Sequence, residues 1–254
     1  MRRADQRSLG STMTDLGVIA IVFVAAAVQS MTGFGFGLVA MGLLPLVISE
    51  LEAIPLVAAV GLIAEAFIAW RLRRRLQWPR MRPLVLGIVL GAPTGLALLG
   101  ASDPRWIGLV LGAFLVAYAA WSLAFAVVEA RTVSDRWGYV VGLVSGVLGG
   151  AFNTSGPPLV VWSSLKAWDR DDAISTLQAL FLVTGFIAIS VHLAAGRITA
   201  DTGRTVALAL PAVALGTRLG ARLRDRIDPV GFRRLLLAML LMVGMVYVTK
   251  AVTG

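Results

Sequence analysis

Charged residues punctuate this chain rather than alternating with apolar ones, and the stretches between them have the lengths of membrane spans. Pro83 to Ser102, Trp106 to Val128 and Ala173 to Gly196 carry no charge, and each is close to the roughly 20 residues that one straight helix needs to cross a hydrocarbon core. Ala53 to Trp70 also fits if Glu65 is accommodated within it. Two further spans, around Thr205 to Thr217 and Leu235 to Thr249, borrow flanking residues and let Arg218, Arg233 or Arg234 snorkel. Two runs break the pattern. Leu16 to Ser49 and Trp137 to Leu165 are too long for one span and too short for two full spans with a turn. Each is interrupted near its middle, by MTGFGFG at Met31 to Gly37 and by NTSGPP at Asn153 to Pro158.

The two halves follow one plan. Gly91 and Gly95 precede Asp103-Pro104, and Gly216 and Gly220 precede Asp228-Pro229 at the same spacing, each leading into a final apolar span. The chain therefore reads as one membrane domain over 1–254, with a first repeat at about 14–128, a polar linker at 129–136 and a second repeat at about 137–252. Each repeat holds one broken or re-entrant segment and three transmembrane helices, an odd parity that predicts inverted topology. Placing WRLRRRLQWPRMR on the cytoplasmic side gathers 16 of the 23 Lys and Arg there, in line with the positive-inside rule, and leaves both termini outside. The predicted fold class is an all-α integral membrane protein built from two such repeats.

Composition agrees and excludes several alternatives. Hydrophobic residues make up 58%, charged residues 15%, and the mean hydropathy is +0.84, values outside the range of soluble domains. The net charge of +9 is explained by basic loops between spans, so no nucleic acid is implied. With no cysteine and one histidine, no metal site, cofactor or thiolate chemistry is expected. Met1 to Thr12 is basic, but the apolar run after it is too long for a signal-peptide core, so it is read as part of the mature chain.

A broken helix leaves backbone polar groups unpaired, which lipid does not tolerate and a protein-lined cavity does. Matching breaks in inverted repeats meet near the midplane of transporters, where half-helix N-termini attract an anion. The candidate binding residues are therefore Gln29, Ser30, Thr32, Gly33, Phe34 and Gly35 in the first break and Asn153, Thr154, Ser155, Gly156 and Pro157 in the second. Gln178, an amide in the middle of an apolar run, needs either another helix or the substrate as partner. Glu65 either carries a coupling proton or pairs with Arg71, and His192 either relays protons or is a satisfied interfacial residue. Gly87, Gly91 and Gly95, with Gly142 and Gly146, lie at helical spacing and read as packing faces. Trp70, Trp78, Trp106, Trp137, Trp162 and Trp168 fall mostly at span ends and read as interface anchors. GFGFG is no nucleotide loop, since no Lys-Ser/Thr and no βαβ unit accompany it.

The tandem layout, the motifs QSMTGFGFGLVAMGLLPLV and GVLGGAFNTSGPPLVVW, and the Gly-xxx-Gly then Asp-Pro pattern resemble the TauE/SafE family of sulfite and sulfonate exporters across nearly the whole chain. The resemblance implies a multi-pass secondary transporter of the bacterial plasma membrane that exports a small sulfur-containing or organic anion by alternating access with proton coupling. It implies no catalytic residue, and a homodimer is among the assemblies it allows. GFGFG stands where the family commonly has a fuller glycine run. Two other readings are an anion channel and, from Ser155 with His192, an intramembrane hydrolase.

Overall fold

The computed structural model describes residues 2–76, 78–100, 103–124, 133–166, 170–224 and 226–253. Among them every regular element is helical: α1 (Arg2–Thr32), α2 (Phe36–Leu43), α3 (Glu50–Leu72), α4 (Trp78–Gly100), α5 (Pro104–Ala124), α6 (Trp137–Phe152), α7 (Gly156–Leu165), α8 (Arg170–Ala194), α9 (Ala200–Leu223) and α10 (Pro229–Thr253). Seven of these, namely α1, α3, α4, α5, α8, α9 and α10, are long and apolar enough to cross a membrane. The expected interruptions appear between α1 and α2 and between α6 and α7.

One boundary differs from expectation. The run from Leu16 to Ser49 was expected to hold two short helices or a re-entrant hairpin, yet α1 reaches back to Arg2, so that its apolar part, Met13–Thr32, is 20 residues long. Charge ends a span but not a helix, and no proline stands before α1's apolar part. Only α2, at 8 residues, is short there, whereas α6 with 16 and α7 with 10 are both below span length. Residues 125–132, which hold the expected end of the first repeat and half of the linker, lie outside the described residues, as does Trp168.

The repeated Asp-Pro has a local cause. Asp103 accepts the Arg105 N–H at 2.8 Å, and Asp228 accepts those of Val230 and Gly231 at 3.1 and 2.8 Å. Each aspartate caps a helix whose first residue is the proline, where a missing N–H costs nothing. Ser49 with Glu52 and Thr199 with Thr202 form reciprocal caps at the starts of α3 and α9.

Glycines set the packing. On α4, a side chain at Gly87, Gly91 or Gly95 would strike the α6 backbone near Tyr139, Leu143 and Val147; on α6, one at Gly142, Gly146 or Gly150 would strike α4 near Leu84, Ile88 and Ala92. The α9 glycines Gly216 and Gly220 lie in the same way against Phe23 and Ala27 of α1. Small residues let two helix backbones approach where lipid supplies no hydrophobic drive between them. The fourth helix of each half thus lies along the broken helix of the other, and α3 pairs with α8 and α5 with α10.

Trp70, Trp78, Trp106 and Trp137 are exposed, as interface anchors are. Trp162 is not: it is 3% exposed, packed with Met81, Leu84, Leu159, Leu177 and Phe181. The anchor reading fails there because Trp162 sits on the face of α7 that packs against α4 and α8.

Candidate functional site

The two breaks meet at the centre. A Cβ on Gly37 would fall onto the Asn153 carbonyl, and one on Gly156 would lie 3.2 Å from the Phe34 ring. Gly33 and Gly35, with φ of 85° and 101°, and Asn153, with φ of 53°, take the left-handed backbone that turns each chain out of one helix and into the next.

In the first break, side-chain amides replace the missing helical bonds. Gln29 Oε1 accepts the Phe36 N–H at 2.8 Å, Gln29 Nε2 donates to Gln178 Oε1 at 3.2 Å, and Gln178 Nε2 donates to the Gly33 carbonyl at 2.8 Å. Gln178 therefore has another helix and the break itself as partners. The Thr32 hydroxyl lies within hydrogen-bond distance of the Val28 and Phe34 carbonyls, at 2.9 and 2.5 Å. Ser30 donates to the Thr217 carbonyl at 2.8 Å and so faces the α1–α9 seam.

The second break is held differently. Asn153 Nδ2 donates to the Ile54 carbonyl of α3 at 2.9 Å, its N–H bonds Gly149 O at 2.8 Å, and Ser145 Oγ donates to the Ser155 carbonyl. Thr154 turns back toward the Leu148 carbonyl at 3.4 Å. Pro157, at the start of α7, brings no N–H to a turn whose N–H groups lack intrahelical acceptors.

Between the breaks lie two adjoining cavities that share Gly37, Glu65, Asn153, Ser155 and Phe181. Gln29, Gly35, Thr154 and Gly156 line one of them as well, whereas Ser30, Thr32, Gly33, Phe34, Pro157 and Gln178 line neither. Each cavity measures about 20 Å³, room for a water molecule and too little for an oxyanion. Their electrostatic character follows from which backbone groups are already bonded. The Gly33, Phe34 and Ser155 carbonyls accept protein donors. Gly37 and Leu38 line the cavity, and as first-turn residues their N–H groups have no intrahelical acceptor. At the start of α2 the unspent backbone capacity is donor capacity, which suits an anion.

Glu65 lines both cavities, with Oε2 buried and without a hydrogen-bond partner among the described residues. Gly61 on its own helix and Gly185 on α8 leave room for the carboxylate; Cβ atoms there would lie 3.8 and 3.3 Å from its oxygens. His192 is fully buried, neither ring nitrogen has a hydrogen-bond partner among the described residues, and it lines neither cavity, so the Ser155–His192 pair of a hydrolase is not made. Gly37, Leu38 and Phe181 were not among the residues expected from sequence. The last glycine of MTGFGFG was the available signal for Gly37, and the Gly61 to Glu65 spacing, one helical turn, was a signal that Glu65 faces a cleared space.

The family model described as sulfite exporter TauE/SafE matches residues 18–247. A probable sulfite/organosulfonate exporter TauE of Cupriavidus necator is 28% identical over 249 residues, covering 94% of this chain and 95% of the relative. A probable inner membrane transporter protein TsaS of Comamonas testosteroni is 29% identical over 174 residues, covering 68% of this chain and 72% of the relative. No solved structure gives a significant match.

Proposed function

The chain belongs to the sulfite exporter TauE/SafE family of membrane transporters, and on that premise we propose that it exports a small sulfur oxyanion, a sulfite or a sulfonate, across the bacterial inner membrane by alternating access coupled to protons. The observation that carries this reading is the unspent donor capacity at the start of α2, where the Gly37 and Leu38 N–H groups border the cavity between the breaks. The Gly37 and Leu38 N–H groups with Asn153, Thr154, Ser155 and Gly156 form the anion's seat; Gln29 and Gln178 hold the first break in shape around it. The small cavity fits a closed state without the anion, and admitting it from either side requires the breaks or Phe181 to move. The exchange in packing, α4 on α6 and α9 on α1, supports two repeats of opposite orientation. The relatives named as sulfite/organosulfonate exporter and inner membrane transporter support the substrate class and the compartment.

Proteoliposomes loaded with sulfite or sulfoacetate test the reading. A carrier gives protein-dependent efflux that saturates and is accelerated by the same anion outside. Efflux that stays linear with concentration and shows no such exchange supports the channel reading. Absence of flux for every sulfur anion, with other solutes moving, overturns the substrate assignment.

A further inference from the structure

Resting on the anion reading above, we propose that the central site loads an anion and a proton together, with Glu65 as the proton's seat, so that the two cross as one load. Glu65 Oε2 is buried, unpartnered among the described residues, and in the same small space as the Gly37 and Asn153 backbone. An oxyanion seated there lies within a few ångströms of the carboxyl group. If Glu65 is ionised, two negative charges share a site shielded from water, where repulsion is strong. If it is protonated, the repulsion is gone and its O–H becomes one more donor to the oxyanion. The anion therefore binds the protonated form, and its departure lets the proton leave.

The surrounding charges leave this role to Glu65. It is the one ionisable residue among those lining the two cavities; α2, α8 and the second break contribute only apolar and neutral polar groups, such as Phe36, Phe181, Thr184 and Asn153. The next candidates are Arg71, further along α3, and His192, about two turns beyond Gly185 on α8.

Co-loading sets what drives transport. A monoanion with its proton is electrically neutral, so the membrane potential does no work on it and the anion and pH gradients decide its direction. A dianion with one proton keeps a net negative charge, which an inside-negative potential expels. Charge on the substrate, rather than an opposing proton flow, then distinguishes driven export from passive equilibration.

The test uses purified protein in detergent with methanesulfonate, which stays ionised throughout and so adds no titration of its own, and sulfite as a second probe. In wild type, on the alkaline side of the free Glu65 titration, methanesulfonate affinity should rise by about tenfold per unit fall in pH, and in weak buffer at that pH each binding event should take up about one proton. Glu65→Gln should bind equally well at every pH and take up none. Wild-type binding that stays independent of pH, with no proton uptake, from neutral into strongly alkaline buffer overturns the proposal while leaving the anion site standing. Proton uptake that persists in Glu65→Gln and is lost in His192→Gln also overturns it. If neither probe binds at any pH, the anion reading fails and takes the proposal with it. Should Glu65→Gln not fold, proton uptake that survives in His192→Gln supports the proposal, and uptake lost there overturns it.

Discussion

The two breaks face the same problem, a helix that stops inside the bundle, and they answer it with different chemistry. The first is soft in backbone and rich in side-chain amides: two left-handed glycines make the turn, and Gln29 and Gln178 replace the lost bonds. The second is made by the left-handed Asn153, whose amide reaches across to Ile54, and by prolines that bring no N–H. One break is thus held from α8 in the other half, and the other is held on α3. Neither is complete without residues far away in sequence, which makes the centre a joint product of both halves.

Substitutions can separate these two solutions. The largest effect is expected at the point they share. Gly37→Val places a side chain on the Asn153 carbonyl, and since backbone cannot yield as a flexible side chain does, a cost above the roughly 1–3 kcal/mol typical of overpacking is expected. Thermal melting in detergent should show a protein that is barely folded, while Gly203→Val on α9, with open space around it, should cost only helix propensity. A near-normal melting point for Gly37→Val would mean that the breaks do not meet as described.

Next comes Gln178→Leu. It strips the Gly33 carbonyl and the Gln29 amide of a partner at once, and about 2 kcal/mol of stability should be lost, toward the upper end for buried polar groups left unmatched. Hydrogen exchange should quicken at Gly33 to Phe36 and not at Asn153 to Gly156; equal quickening at both would show the breaks to be one cooperative unit. The smallest effect separates the two roles of Asn153. Asn153→Gly keeps the left-handed turn and loses the bond to Ile54, for a cost of about 1 kcal/mol, and Asn153→Ala adds backbone strain of about 1–2 kcal/mol. If both lose the same amount, the turn itself carries no strain.

Much of this was legible before the fold was known, because spans, breaks and packing faces are written in local patterns. Charge-free length marked the spans, glycine at helical spacing marked the α4–α6 seam, and Asp-Pro marked two helix starts. What stayed hidden depends on direction. Ser30 and Thr32 sit in the first break as expected, yet one faces α9 and the other closes its own turn, and nothing in their spacing says so. Trp162 ends an apolar run just as Trp137 begins one, and an aromatic there looks the same whether the neighbouring surface is lipid or protein. For Glu65 the sequence left a coupling proton and an ion pair with Arg71 as open readings; only the glycines facing it on two helices reveal the space beside its carboxylate.

The seams have a consequence for how the chain is made. When the ribosome has delivered the first half, the glycine face of α4 has no α6 to receive it, and the Phe23 to Ala27 face of α1 still lacks α9. Both surfaces stay unmatched in the bilayer until the later helices are inserted and slide in between. Biogenesis therefore cannot finish packing the first half of the chain before starting the second, and a nascent chain stalled after α5 should be what membrane quality-control proteases recognise as unfinished.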